Sequence, residues 1–127
     1  MTSLIDIPAT ILAAADINIP AEFRGRPLQG LVDRSACESW PDHVFIQISE
    51  THTGRAVRTS RWKYEIGYGP DDEPVYRELF LYDLDADPFE RNNLVGDPAY
   101  TDVRLDLLQK IRLRMEACGE DLGTIRL

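Results

Sequence analysis

The sequence predicts an α+β fold: a four-stranded antiparallel sheet packed by one long C-terminal helix, with a short helix at the N-terminus. Three observations predict it. Between residues 43 and 84, four short segments rich in β-branched and aromatic residues follow one another with turn-length links, the pattern of a meander. Between residues 100 and 118, Tyr100, Val103, Leu107, Ile111, Met115 and Cys118 recur every three or four positions, so one helix face stays apolar for about five turns and needs a partner. The 127 residues are 43% hydrophobic, and a chain of that length buries about two thirds of its unfolded surface, so a core forms without staples.

Each element has a local cause. Residues 7–15 form a short helix, with Asp6 as cap and Pro8 in the first turn, where a missing N–H costs little. Ile7, Ile11, Leu12 and Ala13–Ala15 make it apolar nearly all round, so it expects cover on more than one side. Pro20 closes this unit. Residues 21–42 read as an irregular connection with one helical turn around Leu28 to Val32, ending at Trp40-Pro41-Asp42. The chain thus divides into a helix with its connection, 1–42, and a sheet-plus-helix unit, 43–127. The strands are 43–48, 55–60, 62–68 and 77–84, with a turn at Ser60-Arg61 and a loop through Gly69-Pro70-Asp71-Asp72. Alternation in the last strand puts Leu79, Leu81 and Asp83 on one face and Phe80, Tyr82 and Leu84 on the other. Asp87-Pro88-Phe89-Glu90 is a capping-box variant and predicts a short helix ending near Asn92-Asn93. Asp97-Pro98 opens the long helix, Asp102 sits near its positive end, and Gly119 stops it.

Fourteen basic residues against twenty-two acidic give a net charge of −8. That balance argues against nucleic-acid binding, which needs a cationic face, and against docking on an anionic membrane. No apolar run approaches the ~18 residues of a membrane span. The start of the chain has no basic region and carries Asp6, which does not read as a secretory signal. With only Cys37 and Cys118, localisation is not legible, and both read as small buried hydrophobes.

Candidate chemistry is sparse. Asp83, Asp85 and Asp87 match the opening of a calcium loop. The glycine and the bidentate Glu that such a loop needs are replaced by Pro88 and Leu94, so strand end plus helix cap is the better account. Nine acids between Glu65 and Glu90 face one base, Arg77, while Arg55, Arg58, Arg61 and Lys63 form a basic stretch. Alternation puts Arg55 and Arg58 on opposite faces, and cross-strand pairing of the two stretches is expected. His43 and His52 do not stand at zinc spacings with either cysteine. Nucleophile elbows and phosphate loops are absent.

Taken in order, however, the segments carry a family signature. Ser3-Leu4-Ile5-Asp6-Ile7-Pro8-Ala9-Thr10 opens an alanine-rich helix; Gly25-Arg26-Pro27-Leu28-Gln29-Gly30-Leu31 follows Ile19-Pro20. Arg55-Ala56-Val57-Arg58-Thr59-Ser60-Arg61-Trp62-Lys63-Tyr64 is the first strong motif. The second runs Glu78-Leu79-Phe80-Leu81-Tyr82-Asp83-Leu84-Asp85-Ala86-Asp87-Pro88-Phe89-Glu90-Arg91-Asn92-Asn93-Leu94. In this order and spacing, over almost the whole chain, they resemble the C-terminal subdomain of a sulfatase of the arylsulfatase-like group in the alkaline phosphatase superfamily. Proline and alanine are exchanged in the first segment, and Pro27 stands for the family's serine.

The resemblance implies a parent sulfuric ester hydrolase that uses formylglycine and calcium, both in a preceding catalytic domain. Cys37-Glu38-Ser39-Trp40-Pro41 approaches the formylglycine motif, but Pro41 replaces its arginine and the place in the family's order is wrong. The chain alone is therefore expected to lack nucleophile and metal site, and to serve as a lobe that packs on the catalytic domain and lines the substrate cleft. The implied partners are that domain and, through the parent enzyme, a sulfated small molecule or glycan. The short polar turn Glu50-Thr51-His52-Thr53-Gly54-Arg55 supplies the substrate-contact candidates, His52 and Arg55. The rival reading is a free-standing protein-interaction module derived from a sulfatase. An apolar helix lacking its cover also predicts self-association of the isolated chain.

Overall fold

The computed structural model describes residues 1–50, 52–68, 75–121 and 123–126. They form two units, Met1–Val44 and Phe45–Leu127. Among them no helix is long and apolar enough to cross a membrane.

The first unit is built around α1 (Asp6–Ala14). Asp6 does not cap it from outside. It is the first helical residue, buried, and its carboxylate accepts the Ser3 N–H at 2.7 Å and the Arg26 N–H at 2.9 Å. The carboxylate therefore ties two distant backbone segments together, which is why it is buried despite its charge. Thr10 continues the strap: its hydroxyl accepts the Leu28 N–H at 3.0 Å, and its carbonyl accepts the Gln29 amide at 2.9 Å. Gly25 is required at the crossing, because a Cβ there would stand 1.8 Å from the Ile5 carbonyl oxygen. Beyond it lies α2 (Gln29–Val32), the expected single turn. Within this unit Ala9 is fully buried, whereas Ile5, Ile7 and Ile11 are exposed, Ile11 by 62%.

The sheet, which from Phe45 onward belongs to the second unit, is β1 (His43–Ile48), β2 (Gly54–Thr59), β3 (Trp62–Tyr68), β4 (Tyr76–Asp83) and β5 (Ile125–Arg126), in that spatial order. The predicted four strands all form, and a fifth corrects the count. Two residues have no periodicity to read, and β5 exists only because the chain returns, through Gly119 and Gly123 at positive φ, to lie parallel to β4. α3 (Thr101–Ala117) covers one face of the sheet. Leu107, Leu108, Ile111 and Met115 pack there with Val57, Tyr64, Ile66, Tyr76 and Leu81 in one apolar cluster. The start of the helix follows the expected logic: Asp97 accepts the Ala99 N–H at 2.9 Å and opens a turn of 3₁₀ helix that leads into α3.

Three expectations need correction. Cys37 and Cys118 are both exposed free thiols, not buried hydrophobes; Cys118 lies just past the helix end, where the stripe has run off the sheet. The faces of β4 do not alternate throughout. Glu65 pairs with Phe80 but Ile66 with Glu78, so Leu79 is a bulge residue, and Glu78, not Leu79, turns in with Leu81. The predicted helix at 87–93 is a turn. Asp87 accepts the Arg91 and Asn92 N–H groups at 2.6 and 2.8 Å, and Phe89 is 76% exposed, so nothing apolar holds a helix there. The following Asn93 fastens the segment along β4, accepting the Leu81 N–H and donating to the Leu79 carbonyl. The motif's Asp and Asn thus act as clamps on backbone.

Candidate functional site

The turn between β1 and β2 is built by its strand ends. Gly54 of β2 stands opposite Gly67 of β3, and the Tyr68 N–H donates to the Thr53 carbonyl at 2.9 Å. A Cβ at Gly54 would lie 2.9 Å from both His52 Nε2 and Glu65 Oε1; one at Gly67 would lie 2.6 Å from Leu79 Cδ1. The two glycines clear the room in which His52 and Glu65 meet. His52 Nε2 is 2.8 Å from Glu65 Oε1; the histidine side chain is 41% exposed and the carboxylate only 9%. A buried acceptor under a half-exposed ring fixes the ring's orientation. Thr51, part of the same turn, lies outside the described residues.

Arg55 lies elsewhere. Alternation turns it to the helix-covered face, where its side chain is 6% exposed. Its Nε donates to both Glu120 carboxylate oxygens, at 3.0 and 3.1 Å, Nη2 pairs with the same group, and Nη1 donates to the carbonyls of Ile48 and Gly54 at 3.1 and 2.7 Å. This fork holds the end of β1, the start of β2 and the segment after α3 in one place, and the Glu120 hydrogen bond raises the guanidinium's affinity for its proton. Tyr76 packs beside it with its hydroxyl 3.5 Å from Glu120, and burial pushes its phenol up to about 12. His52 and Arg55 therefore serve opposite faces and are not brought together. Glu65 and Glu120, which sequence reading missed, are the partners that decide this; the cross-strand glycine pair was the available signal.

The basic and acidic stretches do pair. Arg61 forks onto Asp83, and Lys63 reaches Glu90 at 2.5 Å. The Arg61 bond holds the Asp83 carboxyl below the usual carboxylate range. Asp83 also accepts the Asp85 and Ala86 N–H groups, so its oxygens are committed to closing the turn. Among the described residues no three His, Cys, Asp or Glu side chains converge as a metal cluster. Calcium and formylglycine, implied for the family's catalytic domain, find no fitting donor set in these residues.

The described residues thus form a meander covered by one helix, with Asp and Asn side chains clamping the backbone after β4 and a polar turn at one sheet end. The chain belongs to the N-sulphoglucosamine sulphohydrolase C-terminal family, whose model matches residues 1–117. It is similar to the ulvan-active sulfatase of Formosa agariphila, at 24% identity over 91% of this chain and 22% of that protein. Among solved structures it resembles a protein in complex with its substrate D-glucosamine-2-N,6-O-disulfate, with TM-score 0.75 and 23% identity over 87% of this chain and 23% of that one. It also resembles the phosphonate monoester hydrolase of Silicibacter pomeroyi, with TM-score 0.72 and 20% identity over 91% of this chain and 25% of that one. The chain thus spans about a quarter of the length of these relatives.

Proposed function

We propose that this lobe serves a sulfuric ester hydrolase as one wall of its substrate cleft, with the catalytic domain as its partner and a sulfated sugar or other small sulfate ester as the substrate. The observation that carries the reading is the His52–Glu65 pair: a half-exposed imidazole held on a buried carboxylate at a sheet end, over two glycines that leave room for it. In this reading His52 touches the carrier of the sulfate group and Arg55 positions the turn through Glu120. The family match and the sugar-bound structural relative support the substrate class.

Attachment to the catalytic domain falls to residues 1–42, which lie within the first unit. The exposed isoleucines of α1 form an apolar surface of the kind that a neighbouring domain covers. The isolated chain then self-associates with rising concentration, and sulfate-ester turnover requires the catalytic domain, which supplies formylglycine and calcium. In the intact enzyme, His52→Ala lowers kcat/KM by about tenfold, the scale of one lost hydrogen bond to a charged or polar substrate group. An unchanged kcat/KM on the native substrate refutes the contact. The rival, a free-standing interaction module, is favoured if the chain neither binds a co-expressed catalytic domain nor alters its kcat/KM.

A further inference from the structure

Within the second unit, Glu65 stands where the sheet has no structural use for a charge. Tyr64 and Ile66, on either side of it, belong to the cluster under α3, so alternation turns Glu65 to the opposite face. Its cross-strand neighbours there are Ala56 of β2, which is buried, and Phe80 of β4. A carboxylate is costly to bury between such residues, and an aliphatic side chain in its place would be free of that penalty. Among the described residues its side chain has one hydrogen-bonding partner, the His52 ring. Gly54 makes the same point independently. It opens β2 with a negative φ that any residue adopts, so its backbone does not demand glycine, and glycine weakens a strand. What demands it is room: a Cβ there would lie 2.9 Å from His52 Nε2 and from Glu65 Oε1, the two atoms that bond.

We infer that Glu65 is a positioning residue that holds the His52 imidazole in one orientation and one tautomer, with Gly54 clearing the space for the pair. This rests on the reading of His52 as a substrate contact, and it gives Glu65 a role through the ring, with no contact of its own to substrate. A carboxylate has no hydrogen to give, so Nε2 carries the hydrogen of the 2.8 Å bond. The neutral ring is thereby fixed as the Nε2–H form, and its rotation is stopped before substrate arrives. A contact set in advance lowers the ordering cost of binding. Because His52 meets the carrier and not the sulfur, the gain falls in KM and leaves kcat unchanged. Stability does not follow the same course. The His52 side chain is 41% exposed, so water takes its Nε2–H when the carboxylate is removed, and no charge is stranded in the sheet.

Glu65→Leu and Glu65→Gln test the role in the 127-residue chain and in the intact enzyme. In the chain, imidazole NMR at about pH 8, above the ordinary histidine pKa, shows a His52 Nε2–Hε2 proton protected from exchange with water. His43 and His52 are the only histidines, so His43→Gln assigns the signal. Glu65→Gln, whose carbonyl still accepts, keeps that proton; Glu65→Leu loses it, while its Tm stays at or above that of the parent chain. In the intact enzyme Glu65→Leu raises KM by about tenfold at unchanged kcat, the scale of one lost hydrogen bond. Glu65→Gln restores KM to within about twofold, and Glu65→Leu adds nothing on top of His52→Ala. Gly54→Ala, which drives a Cβ against both groups, reproduces the leucine variant. If His52→Ala raises KM and Glu65→Leu does not, the positioning role is overturned and the contact stands. If His52→Ala changes nothing, the contact itself fails and the positioning role falls with it. A Glu65→Leu chain that melts well below the parent, with kcat and KM worsening together and no rescue by glutamine, makes Glu65 a structural residue and also overturns the inference.

Discussion

Replacing Arg104 by methionine keeps the length of the stem and deletes the charge, leaving Glu78 in place. The Glu78 carboxylate is 7% exposed and Arg104 17% exposed, so both groups are largely withdrawn from bulk water. After the substitution the Tyr64 hydroxyl still donates to Glu78 at 2.8 Å, but the Arg104 charge is gone. Removing one partner of a buried pair costs about 3–5 kcal/mol, because the other charge is stranded. An open groove beside Arg104 admits water and places the effect near the lower end, about 3 kcal/mol. For a lobe of this size that corresponds to a fall in Tm of at least about 12 °C. Removing both partners, Glu78→Met with Arg104→Met, leaves only the Tyr64 hydroxyl without an acceptor, about 1–3 kcal/mol. Adding Tyr64→Phe relieves that as well and brings the triple variant back close to the parent. Denaturant unfolding followed by circular dichroism, with thermal melts alongside, reads the series. A single variant that loses less than about 1 kcal/mol, or a triple variant that falls as far as the single, refutes the assignment of a buried, mutually dependent network.

Further outcomes follow from the same geometry. Gly25→Ala forces a Cβ to within 1.8 Å of the Ile5 carbonyl, a backbone atom that cannot rotate away, so the strap opens and protease sensitivity rises in residues 20–30. Asp83 is held low by Arg61, so its contribution is present above the ordinary carboxylate pKa and is lost as pH falls through the lower folded value; Arg61→Gln moves the acid-unfolding midpoint to higher pH. Tyr76 behaves in the opposite direction. Its phenol is raised to about 12, so its stabilising effect is complete below about pH 10 and disappears as pH rises toward 12; Tyr76→Phe removes that part of the alkaline loss, measured by phenolate absorbance and unfolding together. Both cysteines are exposed, so two thiols react with a colorimetric reagent in the native chain at rates close to those in denaturant.

The parts of this fold that local physics decides were legible in the chain. Strands 43–48 and 62–68, the α3 stripe and the Asp97-Pro98 start each rest on spacing, propensity or a cap within a few residues of itself. So did the Arg61 and Lys63 pairing with the acidic stretch, because adjacent strands bring oppositely charged segments together whatever their fine register. The 87–93 segment shows where local signals become ambiguous. A capping box needs an apolar stripe behind it to become a helix, and with Phe89 in solvent the same Asp87 closed a turn. The candidate site was legible only as a polar turn. Which of its residues faces outward depended on Glu65 and Glu120, thirteen and sixty-five residues from the groups they hold.

The sequence by itself determined the fold class, the order of elements, the family motifs and the turn that carries His52, because each is written in short-range patterns of side-chain type. Only the tertiary structure decided that Arg55 is a buried brace while His52 is half-exposed, that Leu79 is a bulge, and that a fifth strand sets Arg126 beside Arg77. Those outcomes depend on pairings between residues far apart in the chain. No local propensity encodes such pairings, and they become determinate only when the sheet closes and one face is shut off from water.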